Sequence, residues 1–225
     1  EDVFLGGGPG QAAQLYIQQK DGKFEQIPQA AFESDKAYED NGAHFFDADG
    51  DGDLDVYVAS SGYELAENDS KLQDRLYLND GKGSFSASSA LPKMLTGSKA
   101  VVSLDYDQDG DLDLIVGGRI VPGKYPLSPR SYILENQSGK FVDVTKTVAP
   151  DFAEAGLIND LLLSDYDGDG DFDLLVAGEW MPITVFENQN GSFQPLEIEA
   201  LNRRPAGGIA LLKLILTRMG IWIIS

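Results

Sequence analysis

The pattern Asp-x-Asp-x-Asp-Gly-Asp-x-Asp occurs three times in this chain, at residues 47–55, 105–113 and 165–173. Alternation sets carboxylates at loop positions 1, 3, 5 and 9. These are Asp47, Asp49, Asp51 and Asp55 in the first loop, Asp105, Asp107, Asp109 and Asp113 in the second, and Asp165, Asp167, Asp169 and Asp173 in the third. Glycine at position 6 permits the sharp turn that wraps such oxygens round one hard cation. Left bare, close carboxylates repel by roughly 4 kcal/mol per pair at an effective dielectric near 20. The spacing therefore predicts one bound Ca2+ per loop, since many flexible carboxylate ligands favour calcium over magnesium. At position 7, Asp53, Asp111 and Asp171 are expected to offer a backbone carbonyl rather than a side chain.

A helix-flanked EF-hand begins in the same way but needs a bidentate glutamate at position 12, and here that position is Val58, Val116 or Val176. The flanks are also wrong for helices. Ala43–Phe46, Val101–Leu104 and Leu161–Ser164 precede the loops, and Val56–Ala59, Leu114–Gly117 and Leu174–Ala177 follow them. These short runs, rich in β-branched and large apolar residues, predict strands, so each loop joins a hairpin.

The loops start 58 and then 60 residues apart, which makes the chain a repeat protein. A second motif keeps the same beat. Leu15-Tyr16-Ile17 leads to Gly22 and Phe24, Leu76-Tyr77-Leu78-Asn79 to Gly83 and Phe85, Tyr132-Ile133-Leu134 to Asn136, Gly139 and Phe141, and Val185-Phe186 to Asn188, Gly191 and Phe193. Asparagine and glycine between apolar runs predict a tight turn. Each unit is thus four short strands with two turns, the content of a propeller blade, although blades usually run about 40 to 50 residues. The predicted fold is all-β, a partial β-propeller of three to four blades, with loop-bearing units near 43–99, 100–157 and 158–205.

On these loops and turns the chain resembles the FG-GAP or VCBS repeats, calcium-binding propeller repeats also found in integrin α-subunits. The wording Phe4-Leu5-Gly6-Gly7-Gly8, Gly178-Glu179-Trp180-Met181-Pro182 and Asn202-Arg203-Arg204-Pro205 further resembles secreted bacterial proteins that join VCBS repeats to an ASPIC/UnbV domain and are similar to cartilage acidic protein. The resemblance implies a seven-bladed ring, one calcium per loop-bearing blade, a secreted or cell-surface location such as a bacterial outer surface or periplasm, and recognition or adhesion rather than catalysis.

Seven blades of this period need on the order of 400 residues, so residues 1–207 are expected to be a propeller fragment whose partners include the rest of a parent ring. Residues 208–225 (GIALLKLILTRMGIWIIS) break the pattern. Lys213 and Arg218 make a membrane span costly, at roughly 2.5–3.5 kcal/mol each near its centre. Reading the same codons one nucleotide early can yield a fourth aspartate loop, so a frameshift origin is expected for this tail and no native function is given to it.

The formal net charge is −20, and fifteen of the 37 acidic residues lie in the three loops. Even three bound Ca2+ leave the chain strongly anionic, which argues against nucleic acid or anionic membrane as partners. Without cysteine, calcium must do the stapling that disulfides do elsewhere.

The single histidine, His44, lies in a strand leading to a loop and reads as packing. The long segment Gly118–Arg130 carries Arg119, Lys124, Tyr125 and Arg130, and it corresponds in the repeat to Ser60–Asp74 around Tyr63 and Glu64. Like loops of successive blades gather on one face, so Tyr63, Arg119, Tyr125, Arg130 and Trp180 form the candidate surface for an extracellular protein or glycan. Some polysaccharide lyases and sugar dehydratases use propellers of related repeats. This chain, with one histidine and no matched acid–base pair, is read instead as a non-enzymatic binding module.

Overall fold

The apolar runs on either side of each aspartate loop pair as antiparallel hairpins in a computed structural model, which describes residues 2–196. A first sheet holds β1 (Asp2–Leu5), β2 (Gln14–Gln18) and β3 (Phe24–Ile27). Three four-stranded meanders follow, each paired in sequence order. One is β4 (Glu39–Phe46), β5 (Asp55–Ser61), β6 (Arg75–Asn79) and β7 (Phe85–Ser88). The next is β8 (Gly97–Leu104), β9 (Asp113–Ile120), β10 (Tyr132–Asn136) and β11 (Phe141–Asp143). The last is β12 (Leu157–Ser164), β13 (Asp173–Glu179), β14 (Thr184–Asn188) and β15 (Phe193–Leu196). Two short helices, α1 (Ala30–Ser34) and α2 (Thr145–Val148), lie in connections. The fold is all-β, and the sheets form a partial, unclosed propeller.

Each core lies between neighbouring sheets rather than within one. Along β5, Val56 and Val58 pack with Leu15 and Phe32 toward the first sheet, while Tyr57 and Ala59 pack with Leu114, Val116 and Leu134 of the third. On β9 the next residue, Ile115, turns to Leu174, Val176 and Phe186 of the fourth sheet. Such strands are covered on both faces, which is why they read as unbroken apolar runs and why every residue of β5 is buried. The first strand of each meander starts four residues earlier than its apolar run predicts, because a bulge interrupts the register at Asn41, Lys99 and Asn159. All three bulged residues are polar, and two reach the next blade: Asn41 Nδ2 donates to the Ser98 carbonyl at 2.9 Å, and Lys99 Nζ to Asn159 Oδ1 at 3.3 Å.

Among the described residues no helix is long and apolar enough to cross a membrane. The readings made on residues 202–205 and 208–225 lie outside the described residues.

Candidate metal centres

Position 9 of each loop is also the first residue of the second strand, and that double duty fixes the site. Asp55, Asp113 and Asp173 are buried, at 0–1% exposure. One carboxylate oxygen accepts the N–H of loop position 2: Ala48 at 2.8 Å, Tyr106 at 3.2 Å, Tyr166 at 2.7 Å. The other accepts the N–H of the asparagine that ends the third strand: Asn79 at 2.7 Å, Asn136 at 2.8 Å, Asn188 at 2.9 Å. A buried carboxylate thus ties loop to blade before any ion is considered. Burial pushes all three carboxyls above the ordinary aspartate range, Asp113 to about 7, against the pull of those backbone N–H groups.

Position 1 closes the turn. Asp47 accepts from the N–H of Gly50 at 2.8 Å and of Gly52 at 3.0 Å, and Asp105 and Asp165 take the equivalent donors Gly110 and Gly168. Position 6 holds φ between 92° and 99° in Gly52, Gly110 and Gly170, a conformation that needs glycine. Position 4 is left-handed as well, by glycine in two loops but by Gln108, at φ 62°, in the middle one.

The result is three like clusters: Asp47, Asp49 and Asp55; Asp105, Asp107 and Asp113; Asp165, Asp167 and Asp173. In each, carboxylate oxygens at positions 1, 3 and 9 lie within 4.8 Å of one another. The donor set is all oxygen and three-fold anionic, which suits a hard divalent ion. The position-5 carboxylates, Asp51, Asp109 and Asp169, are not in these groups; each accepts the N–H of position 7 at 2.9 Å. At position 7 the side chains do other work. Asp111 Oδ2 accepts the Ser138 N–H at 3.1 Å, and Asp171 Oδ1 accepts from Gln108 of the preceding loop at 2.8 Å.

Residues 1–58 and 61–116 match the FG-GAP-like repeat. The chain belongs to that family. Among solved structures it is similar to the Dos1 propeller, with a TM-score of 0.50 at 14% identity over 88% of this chain and 44% of that one. It is also similar to a Bacillus licheniformis rhamnogalacturonan lyase, PL11, with a TM-score of 0.40 at 12% identity over 83% of this chain and 42% of that one. The FG-GAP chain thus spans less than half the length of either structure. No curated protein sequence matches it.

At the far end of β5, β9 and β13 from the metal loops lie the residues singled out as a partner surface. The structure brings Arg119, Tyr125 and Trp180 together. Trp180 Nε1 donates to the Tyr125 hydroxyl at 2.6 Å, that hydroxyl donates to Glu179 Oε2 at 3.1 Å, and Arg119 Nη2 donates to Glu179 Oε1 at 2.5 Å. Tyr63 is exposed on the preceding blade, whose loop is bridged to this one by a Lys124–Glu67 ion pair at 2.5 Å. Arg130 has a local role instead: it pairs with Asp143 at 2.6 Å and lies over the Tyr132 ring. Glu179 escaped the sequence reading because nothing local marks it as the junction of two blades.

His44 is half-buried, stacked on Phe46 and 2.9 Å from Ser103 Oγ, and burial lowers its pKa. It packs as expected.

Proposed function

We propose that this chain is a calcium-stabilised, non-catalytic recognition or adhesion module that works outside the cell, with Ca2+ held by the three aspartate loops. The observation that carries this reading is the recurrence of one arrangement at one end of three successive blades: a buried position-9 carboxylate, already fixed by two backbone N–H groups, beside the carboxylates of positions 1 and 3. Position 5 and the backbone carbonyl of position 7 complete the proposed shell, as Asp51, Asp53 and their counterparts in the other loops. Calcium would relieve the repulsion within each cluster and brace the loop that sets the blade edge. That is a structural task, and extracellular calcium is abundant enough to perform it. The partner is an extracellular protein or glycan taken on the opposite face, around Tyr63, Arg119, Tyr125 and Trp180.

Calorimetric titration of Ca2+ into EDTA-stripped protein, with thermal unfolding in parallel, tests the proposal. Three sites and a large rise in Tm are expected, since each site at a hundred times its Kd adds about 2.7 kcal/mol. Absence of binding would overturn the metal assignment, and turnover of a uronic-acid polysaccharide would overturn the non-catalytic one.

A further inference from the structure

Trp180 is 73% exposed, an unusual place for the largest apolar side chain, and its backbone sits at φ 59°, where residues bearing a Cβ are disfavoured. The cause is visible in its neighbours. Met181 and Ile183 are buried, and Gly178 makes room for the methionine: a Cβ there would lie 2.6 Å from the Met181 sulfur. With Met181 anchored inward, the four-residue connection from β13 to β14 must turn Trp180 outward.

The exposed ring is nevertheless held. Its Nε1 is hydrogen-bonded to the Tyr125 hydroxyl of the neighbouring blade, and Tyr125 in turn to Glu179, which Arg119 fixes from the other side. Tyr125 is itself 49% exposed, and the two ring planes meet at 68° with centroids 6.5 Å apart. Two aromatic walls thus form a corner whose polar edge carries a hydroxyl and a carboxylate. Strain at an exposed, immobilised aromatic is a mark of function.

We propose that this corner binds a neutral polysaccharide, with one sugar ring stacked on Trp180 and its hydroxyls bonded to Tyr125 and Glu179. The proposal rests on the recognition reading above and names its ligand class. A sugar presents an apolar face ringed by hydrogen-bonding edges, which matches an aromatic wall bordered by polar atoms. Charge selects the neutral kind. Arg119 is ion-paired with Glu179 and Lys124 with Glu67, and the chain carries −20 overall, so a uronate or sulfated polymer meets net repulsion. The two aromatic residues come from different blades, so the corner exists only where blades three and four pack together.

The test is titration of neutral hexasaccharides (β-1,4-glucan, β-1,3-glucan, β-1,4-xylan, β-1,4-mannan) and of polygalacturonate into the full chain. It is followed by calorimetry and tryptophan fluorescence, with and without calcium, on protein shown to be folded. At least one neutral hexasaccharide is expected to bind with a change in tryptophan emission and little dependence on salt. Trp180→Ala should weaken binding at least tenfold at unchanged Tm. Tyr125→Phe, which keeps the ring and removes the hydroxyl, should weaken it less. Binding of none of the hexasaccharides, preference for polygalacturonate, or binding indifferent to Trp180→Ala would each overturn the proposal. Loss of sugar binding with calcium stabilisation intact sinks this inference alone; absence of calcium stabilisation sinks the metal reading and leaves the sugar result to stand or fall by itself.

Discussion

Asn136 Nδ2 donates to the carbonyl of Ala48 at 3.0 Å, across 88 residues of sequence, so the turn of one blade clasps the metal loop of the blade before it. The same side chain accepts from Gly139 N–H at 2.8 Å, and Gly139 lies against Asp49. Asn188 repeats the clasp on the Tyr106 carbonyl at 3.4 Å, with Gly191 N–H closing its turn. Metal loops and blade packing are therefore one structure.

Replacing Asn136 with alanine removes the donor to two carbonyls, Ala48 and, at 3.1 Å, Leu112, and leaves the Gly139 N–H unpaired, at a cost of about 1–3 kcal/mol. The expected site of damage is specific. Calcium affinity should fall at the Asp47–Asp55 loop of the preceding blade as well as at the Asp105–Asp113 loop of its own, since Nδ2 bonds one carbonyl in each, while the Asp165–Asp173 loop keeps its affinity. Calorimetry on the variant, with the other two loops silenced in turn, reads each loop separately; unchanged affinity at the Asp47–Asp55 loop would refute the clasp.

Positions 3 and 9 of a loop should respond in opposite ways when calcium is removed. Asp49 is exposed and adds charge to an already anionic cluster, so Asp49→Asn should leave the EDTA-stripped protein as stable or slightly more so, while weakening calcium at that loop. Asp55→Asn presents an NH2 to one of two backbone N–H donors and should cost about 1–3 kcal/mol with or without the ion. Thermal unfolding in EDTA and in calcium separates the cases.

The loops and their hairpins were legible because the side-chain types there have one economical use: alternating aspartates for a cation, a glycine where only glycine turns, and apolar runs for strands covered on both faces. The bulges at Asn41, Lys99 and Asn159 were not, because polar residues inside a strand look like its end unless a neighbouring blade is known to bond them. The corner at Trp180 was half legible. Its exposure follows from Met181 being buried against Gly178, a contact that no periodicity in the sequence announces.

Asp74 makes a pH prediction independent of the loops. It is buried and takes hydrogen bonds from Ser60 N–H at 2.7 Å, from the Tyr57 hydroxyl at 2.5 Å and from the Ser98 hydroxyl at 2.5 Å. Burial still dominates and pushes its carboxyl up to about 6 from an ordinary 3.8. A raised carboxyl binds its proton more tightly in the folded protein. Its contribution is therefore fully present below the unfolded value and is lost as pH rises through about 6. In Asp74→Asn the amide keeps an acceptor for Ser60, and the two hydroxyls can reverse to accept from its NH2. The difference in stability between wild type and variant should shift by on the order of 2–3 kcal/mol between pH 4 and pH 7, in favour of the variant at the higher pH. Denaturant melts at four pH values measure it; a constant difference would show that folding does not raise the Asp74 carboxyl.

Next to the first sheet, the second carries a buried ion pair between its own strands β4 and β6, and one member of that pair also holds the chain just past β1. Arg75 Nη2 pairs with Asp40 Oδ1, with the two side chains 11% and 5% exposed, and Asp40 Oδ2 accepts the Gly7 N–H at 2.7 Å. The guanidinium lies over the Tyr38 ring and donates to the Tyr77 hydroxyl at 3.1 Å, which donates in turn to Asp35 at 2.7 Å. Breaking one member leaves an uncompensated buried charge, so Asp40→Ala should cost about 3–5 kcal/mol. Asp40→Asn should cost less, because it restores a neutral acceptor for either Gly7 or Arg75. Because Asp40 also holds the Gly7 N–H beyond β1, hydrogen exchange should show β1 to β3 losing protection first in Asp40→Ala while β9 and β13 keep theirs. Uniform loss across all four sheets would mean that the first sheet unfolds only with the whole.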